Sequence, residues 1–319
     1  MLARPVRIAV ALVLALGAVL FLALGPARAA EKPKVVATFS ILGDIVAAVG
    51  RDMIELTVLV GPDGDAHVYQ PTPADAKAVA QAQLIVVNGL GFEGWIDRLV
   101  KAARTKGTVV AASQGIQPQA VRERGRAHGH GHDHGHGAKG KAPDPHAWQD
   151  LRNGAAYART IAAALASIDA GNAAAYRANG EAYAASLLAL DAEIRAAFAA
   201  IPRAQRKVVT AHDAFGYFST AYGVDFVAPV GVSTEAEASA GDVAKLIRQI
   251  KKERIGAVFV ETVTDKRLAE QIVRETGARM GGTLYADALS KAGGPADSYV
   301  KMFRHNARQL VEALAGKNM

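Results

Sequence analysis

Short apolar runs alternate with amphipathic stretches along most of the chain. "KVVATF" from Lys34 and "IELTVLV" (Ile54 to Val60) are continuous enough to predict strands buried on both faces. "LIVVNG" (Leu84 to Gly89) and "GTVVAAS" read the same way. Between them, "PTPADAKAVAQAQ" and "GWIDRLVKAAR" carry the 3.6-residue spacing of helices. Thr72 as N-cap, Pro73 at the first helical position and Asp75 three residues after the cap mark where the first of these helices starts. After His146 the spacing stays helical, first in "NGAAYARTIAAALASI" and then from Ala173 to about Ile201, where Pro202 stops it. The second of these helices would be about 40 Å long, with Gly180 as its one weak point. The rhythm then repeats. "KVVTAH", "VDFVAPV", "GAVFVET" and "GGTLYAD" are strand-like; "AGDVAKLIRQIKKERI", capped by Ser239 or Asp242, and "DKRLAEQIVRETG" are helical, and "DSYVKMFRHNARQLVEALAG" closes the chain. Strands alternating with helices predict an α/β fold of two lobes, each a mostly parallel sheet flanked by helices, joined by one long rigid helix.

Two segments break the rhythm. Residues 1–29 read as a secretory signal, with Arg4 and Arg7 ahead of the apolar run Ile8 to Leu24, then Gly25-Pro26 and the small-residue site Ala27-Arg28-Ala29. An uncleaved membrane anchor is the alternative. From about Gln117 to Lys141 almost nothing is apolar, which predicts a mobile surface loop. The expected organisation is therefore a signal (1–29), an N-terminal lobe (30–170), a connecting helix (171–201) and a C-terminal lobe (202–319).

Composition narrows the class. Half of the 319 residues are hydrophobic, so a large core is available. The net charge is +7, of which Arg4, Arg7 and Arg28 supply three. The remainder carries a mild charge with no basic face, so no nucleic-acid partner is expected. With no cysteine there is no disulfide, and a metal must be held by His, Asp, Glu or backbone. The same absence predicts a protein that carries no lipid and is free in the periplasm. No G-x-x-x-x-G-K-[ST] run is present, so the chain is not an ATPase of that type.

The candidate chemistry lies in histidines. His128, His130, His132, His134 and His136 alternate with other residues inside the polar segment. Such flexible imidazoles bind Zn²⁺, Ni²⁺ and Cu²⁺ with little discrimination, which suits an accessory collector. Three other histidines are placed near strand ends: His67 after Ile54 to Val60, His146 beyond the polar segment, and His212 at the end of "KVVTAH". Asp287 follows "GGTLYA". Ligands bind outside the carboxyl ends of strands in open α/β sheets. Three imidazoles and one carboxylate suit tetrahedral Zn²⁺ and leave no open position for a water nucleophile. Any one of these histidines could instead be a hydrogen-bonding loop residue. Glu261 and Asp213 are candidate outer partners that would orient an imidazole. His305 reads as an exposed helix residue.

"GDAHVYQPTPAD", "DPHAWQD", "TAHDAFGYFSTAYG" and "GGTLYADALS" together resemble the periplasmic zinc/manganese substrate-binding proteins of ABC importers, the ZnuA/TroA type. The resemblance covers nearly all of the chain after residue 29, and "STEAEASAGD" and "FVET" share it. It implies His67, His146, His212 and Asp287 as metal ligands between two α/β lobes. It implies Zn²⁺ as the transported ligand, no catalysis, and a membrane permease with a separate ATPase as partners. A periplasmic zinc chaperone is a further candidate partner, and the protein is expected to be a monomer. The histidine at 212 favours zinc over the harder Mn²⁺, whereas "STEAEASAGD" and "YVKMFRHN" resemble the manganese branch. A manganese-specific protein, a zinc buffer and a metallohydrolase remain alternatives, although no H-E-x-x-H or H-x-H-x-D-H cluster is present. His146, tethered to the polar segment, is expected to be the ligand that swings during capture and release.

Overall fold

The computed structural model describes residues 31–121 and 142–316. The expected signal (1–29) and the histidine run His128–His136 lie outside the described residues. The N-terminal lobe contains β1 (Lys34–Phe39), α1 (Ser40–Gly50), β2 (Glu55–Val60), α2 (Pro73–Gln81), β3 (Leu84–Val87), α3 (Ile96–Ala103), β4 (Thr108–Ala111) and α4 (Leu151–Ile168). Its sheet is parallel, in the order β2-β1-β3-β4. After α5 (Ala173–Ala199) come β5 (Lys207–Val209), α6 (Gly216–Tyr222), β6 (Asp225–Val227), α7 (Ala240–Glu253), β7 (Ala257–Glu261), α8 (Lys266–Thr276), β8 (Arg279–Leu284) and α9 (Tyr299–Leu314). The second parallel sheet has the order β6-β5-β7-β8. Parallel strands need covered crossovers, which the interleaved helices supply.

Several predicted boundaries have a visible cause. Thr72 accepts from Asp75 N, and the Asp75 carboxylate accepts from Thr72 N at 2.6 Å, a reciprocal cap that starts α2. Ser239 caps α7 by accepting from Asp242 N. Two helices have no counterpart in the pattern. In α1, Ser40, Ile41, Leu42, Gly43, Ile45, Val46, Val49 and Gly50 are all buried, so no polar face marks it as a helix. Short α6 is buried almost throughout for the same reason.

Glycine explains two close approaches. A Cβ on Gly43 would lie 2.5 Å from Val58 Cγ2, so α1 sits tight on β2. A Cβ on Gly180 would lie 2.6 Å from Ala162 Cβ. The expected weak point of α5 is therefore a place where α5 and α4 pack closely. The helix also packs against α1, α6 and α9.

One apolar cluster runs from Val36, Phe39 and Trp148 through Tyr157 and Phe198 to Phe215, Phe259 and Phe303. Both lobes share it. A smaller cluster, with Val209, Leu246, Val258 and Ile272, lies under α7 and α8. A shared close-packed core resists wide bending between the sheets.

The ends of the polar segment are paired. Ala120 and Pro143 form an antiparallel bridge, Val121 N donates to Ala142 O at 3.0 Å, and Asp144 N donates to Gln119 O at 2.8 Å. Residues through Val121, inside the expected loop, are thus pinned to the returning chain at Ala142–Asp144.

Candidate metal centre

Each of the four candidate side chains sits just beyond a strand's carboxyl end or on a loop that returns to one. His67 follows β2, with Trp95 Nε1 donating to Ala66 O at 2.8 Å beneath it. His146 precedes a short turn at Ala147–Gln149. His212 lies three residues past β5 and Asp287 three past β8. One ligand atom from each comes together, all within 4.8 Å of one another. His67 is 6% exposed, His212 1%, and His146 and Asp287 0%. Asp287 is the hub. Its carboxylate lies 3.6 Å from His67 Nε2, 3.5 Å from His146 Nε2 and 2.9 Å from His212 Nε2.

The three Nε2 atoms and both Asp287 oxygens are buried without a well-aligned hydrogen bond. Buried unpaired polar atoms each cost about 1–3 kcal/mol. A cation at their centre would satisfy all five. Tetrahedral ligands about 2.0–2.1 Å from Zn²⁺ stand roughly 3.3 Å apart, close to these spacings.

Carboxylates hold all three histidines, His67 by its backbone and His146 and His212 also by the ring. Asp65 Oδ1 accepts from His67 N at 2.9 Å, Asp144 Oδ1 from His146 N at 3.0 Å, and Glu261 Oε1 from His212 N at 3.1 Å. Asp144 also takes His146 Nδ1 at 2.9 Å, and Glu261 takes His212 Nδ1. Each acceptor keeps the proton on Nδ1 and turns Nε2 inward as a ligand. Glu261, one of the two acids expected beside the imidazoles, holds the His212 ring. Asp144 is not among the partners expected from the sequence. The repeated D-x-H spacing of Asp65-Ala66-His67 and Asp144-Pro145-His146 is the signal that points to it.

His146 does not have the freedom expected of it. Besides Asp144, its loop is held by Asn88 Nδ2 donating to Pro145 O at 2.9 Å. Asn88 is fixed in turn by Tyr157 OH at 2.6 Å and by its own N–H donating to Glu93 at 2.6 Å. Thr38 Oγ1 donates to the same Glu93 oxygen at 2.5 Å. Burial pushes the Glu93 carboxyl up, against the hydrogen bonds it accepts. The polar segment stops short of His146, whose ring and loop are held by these hydrogen bonds in this structure. His305 also differs from expectation. It is half-buried, with Nε2 2.9 Å from Thr283 O and its ring edge-on to Tyr285.

The Asp287 segment is docked on the N-terminal lobe. Trp148 Nε1 and Gln149 Nε2 both donate to Ala286 O, at 2.9 and 2.7 Å. Leu289 N donates to Ser40 Oγ at 2.9 Å, and Asp63 N to Leu289 O at 2.9 Å.

Electrostatics couples the ligands. Burial pushes the His212 pKa down, but the Glu261 and Asp287 charges outweigh it and hold it well above the ordinary value. Burial pushes the Asp287 carboxyl up, but His212, then His146, outweigh it and hold it well below the usual range. Both shifts favour an imidazolium paired with a carboxylate in the metal-free protein. A metal needs the His212 Nε2 lone pair, so binding must expel that proton. About one proton per metal is expected to leave this ring at pH 7, where an unperturbed histidine (about 6.5) would be mostly neutral already. Affinity then falls as pH falls. Calorimetry in two buffers of different ionisation enthalpy counts the proton; a count near zero would mean a neutral His212 in the metal-free protein.

A family model described as the periplasmic zinc-uptake complex component A, ZnuA, matches residues 35–313. The chain is 32% identical over 291 residues to the manganese-binding lipoprotein MntA of Halalkalibacterium halodurans, covering 91% of each. It is 35% identical to the iron ABC transporter substrate-binding lipoprotein MtsA of Streptococcus pyogenes, covering 89% of this chain and 90% of that one. In structure it is similar to the periplasmic zinc binding protein TroA of Treponema pallidum, with a TM-score of 0.80, 31% identity, and coverage of 89% and 99%. The expectation of a protein free in the periplasm and carrying no lipid is overturned here. It was drawn from the lack of cysteine, whereas MntA and MtsA are both named lipoproteins; anchorage is the pattern among these relatives, and free diffusion is not assigned to this chain. The match to the family model along most of the chain, together with 35% identity to MtsA, shows that the chain belongs to the ZnuA/TroA family of metal-binding substrate-binding proteins of ABC transporters.

Proposed function

We propose that the chain captures Zn²⁺ through His67, His146, His212 and Asp287 and hands it to a membrane permease driven by a separate ATPase. The observation that carries this reading is the buried convergence of three Nε2 atoms and one carboxylate within 4.8 Å. Four such ligands of borderline hardness suit Zn²⁺ better than Mn²⁺, which prefers oxygen. The relatives' names do not decide between metals, since they speak of manganese, iron and zinc. Four protein ligands also favour carriage over hydrolysis, because a catalytic zinc keeps an open position. The His128–His136 run serves as an accessory collector. In support, the described ends of its segment meet at Val121 and Ala142, four residues from His146. We assign the lobes to 30–170 and 202–319, with 171–201 between them. The shared core favours small loop movements over wide closure on binding.

Chelator-competition titration of metal-free protein with Zn²⁺ and with Mn²⁺ tests the assignment. One tight Zn²⁺ site per chain and much weaker Mn²⁺ is the expected result. Stability should then rise by about 2.7 kcal/mol when free Zn²⁺ is a hundredfold above Kd. Tight Mn²⁺ would move the protein to the manganese branch. Only weak, multiple Zn²⁺ sites would make the histidine run the binding element instead.

A further inference from the structure

The three outer carboxylates are not used alike. Asp144 and Glu261 spend their remaining capacity on the ring of the histidine they hold. Asp65 does not. Its Oδ2 accepts from Thr234 Oγ1 at 2.6 Å, from 169 positions further along the chain. One carboxylate thus joins the His67 backbone in the N-terminal lobe to a segment of the C-terminal lobe.

That segment, residues 228–239, leaves β6 beside His212. Val230 forms a parallel bridge with His212, and Gly231 O accepts from Asp213 N at 3.1 Å. From Gly231 to Ser239 every residue is exposed or half-buried. Among the described residues, Thr234 to Asp65 is the one hydrogen bond that ties this stretch to the N-terminal lobe. It lies on the solvent side of the site, since His67 is the most exposed of the four candidate ligands and its neighbour Val68 is 48% exposed.

We propose that Asp65 and Thr234 form a latch across the mouth of the metal site, and that opening it is a step in metal release. Asp65 is a positioning residue acting through His67, and Thr234 acts through Asp65. Neither touches the metal. The latch rests on the four-ligand reading above. A hydrogen bond to a buried or half-buried carboxylate is stronger than a neutral one, so its loss should be visible as a rate while the ligands stay in place.

The test compares Thr234→Val, which keeps the shape and removes the donor, with Thr234→Ser, which keeps the donor. Zn²⁺ dissociation into excess chelator is followed by stopped flow, and the visible spectrum of the Co²⁺-loaded protein reports the coordination. T234V should release Zn²⁺ roughly tenfold faster, with a cobalt spectrum like that of the unmodified chain, and T234S should restore the original rate. An unchanged T234V rate, or a T234S rate as fast as T234V, overturns the latch alone. If the unmodified chain gives no tetrahedral cobalt spectrum, the four-ligand site itself is wrong and the latch falls with it.

Discussion

Asp287→Ala is expected to abolish tight metal binding. Asp287 is the one anionic group among the four, and its carboxylate lies within 3.6 Å of all three imidazole Nε2 atoms. Without it a dication would be buried with no charged group in direct contact, the Asp144 and Glu261 carboxylates reaching it only through the imidazoles they hold. Removing an outer partner of a metal ligand costs roughly 10–100-fold in affinity, and removing the charged ligand itself should exceed that. The metal-free protein changes too. His212 loses one of the two charges that hold its pKa up, so its ring should titrate lower and release less proton on any residual binding. Competition titration checks the first expectation and buffer-dependent calorimetry the second. Wild-type affinity in D287A would show that the buried cluster is not where the metal goes.

Trp148→Ala is expected to damage fold and site together. The indole is fully buried, with its ring centroid 5.1 Å from Phe39, 4.7 Å from Phe92 and 5.3 Å from His146. Truncating a buried tryptophan costs about 3–5 kcal/mol, from lost burial and the cavity left behind. Its Nε1 also holds Ala286 O, next to Asp287, so that carbonyl would keep Gln149 as its one remaining side-chain donor among the described residues. Trp148→Phe separates the two effects. It retains most of the ring contact, and hence most of the stability, but should still weaken metal binding. Denaturant midpoints and zinc titration of both variants give the comparison. A loss below about 1 kcal/mol in W148A would mean that the core beneath His146 can collapse around the gap.

How far the sequence can be read depends on whether a residue's environment is local. Runs such as "LIVV" needed only their own apolar continuity to be strands, and Thr72 with Asp75 needed only a three-residue offset to start a helix. α1 was hidden because burial on nearly every side erases the periodicity by which an amphipathic helix is recognised. Gly180 looked like a defect because propensity is a property of one helix, whereas its use is a contact with another.

The same division runs through the site. Strand-end placement made three histidines and an aspartate candidates, and the four family-like motifs around them singled them out as a donor set of the right hardness for a borderline metal. The sequence also placed Glu261, at the end of its strand, among the candidate outer partners. The convergence of the four comes from packing, because His67 and Asp287 are 220 positions apart and are brought together from loops after different sheets. Packing also set what holds the His146 loop, since Asn88, itself fixed by Glu93 and Tyr157, reaches Pro145 O from elsewhere in the chain. And it decided that Asp65 faces Thr234. A carboxylate's partners depend on which groups come within about 3 Å of it, and for groups far apart in the chain that distance is set by packing rather than by sequence spacing.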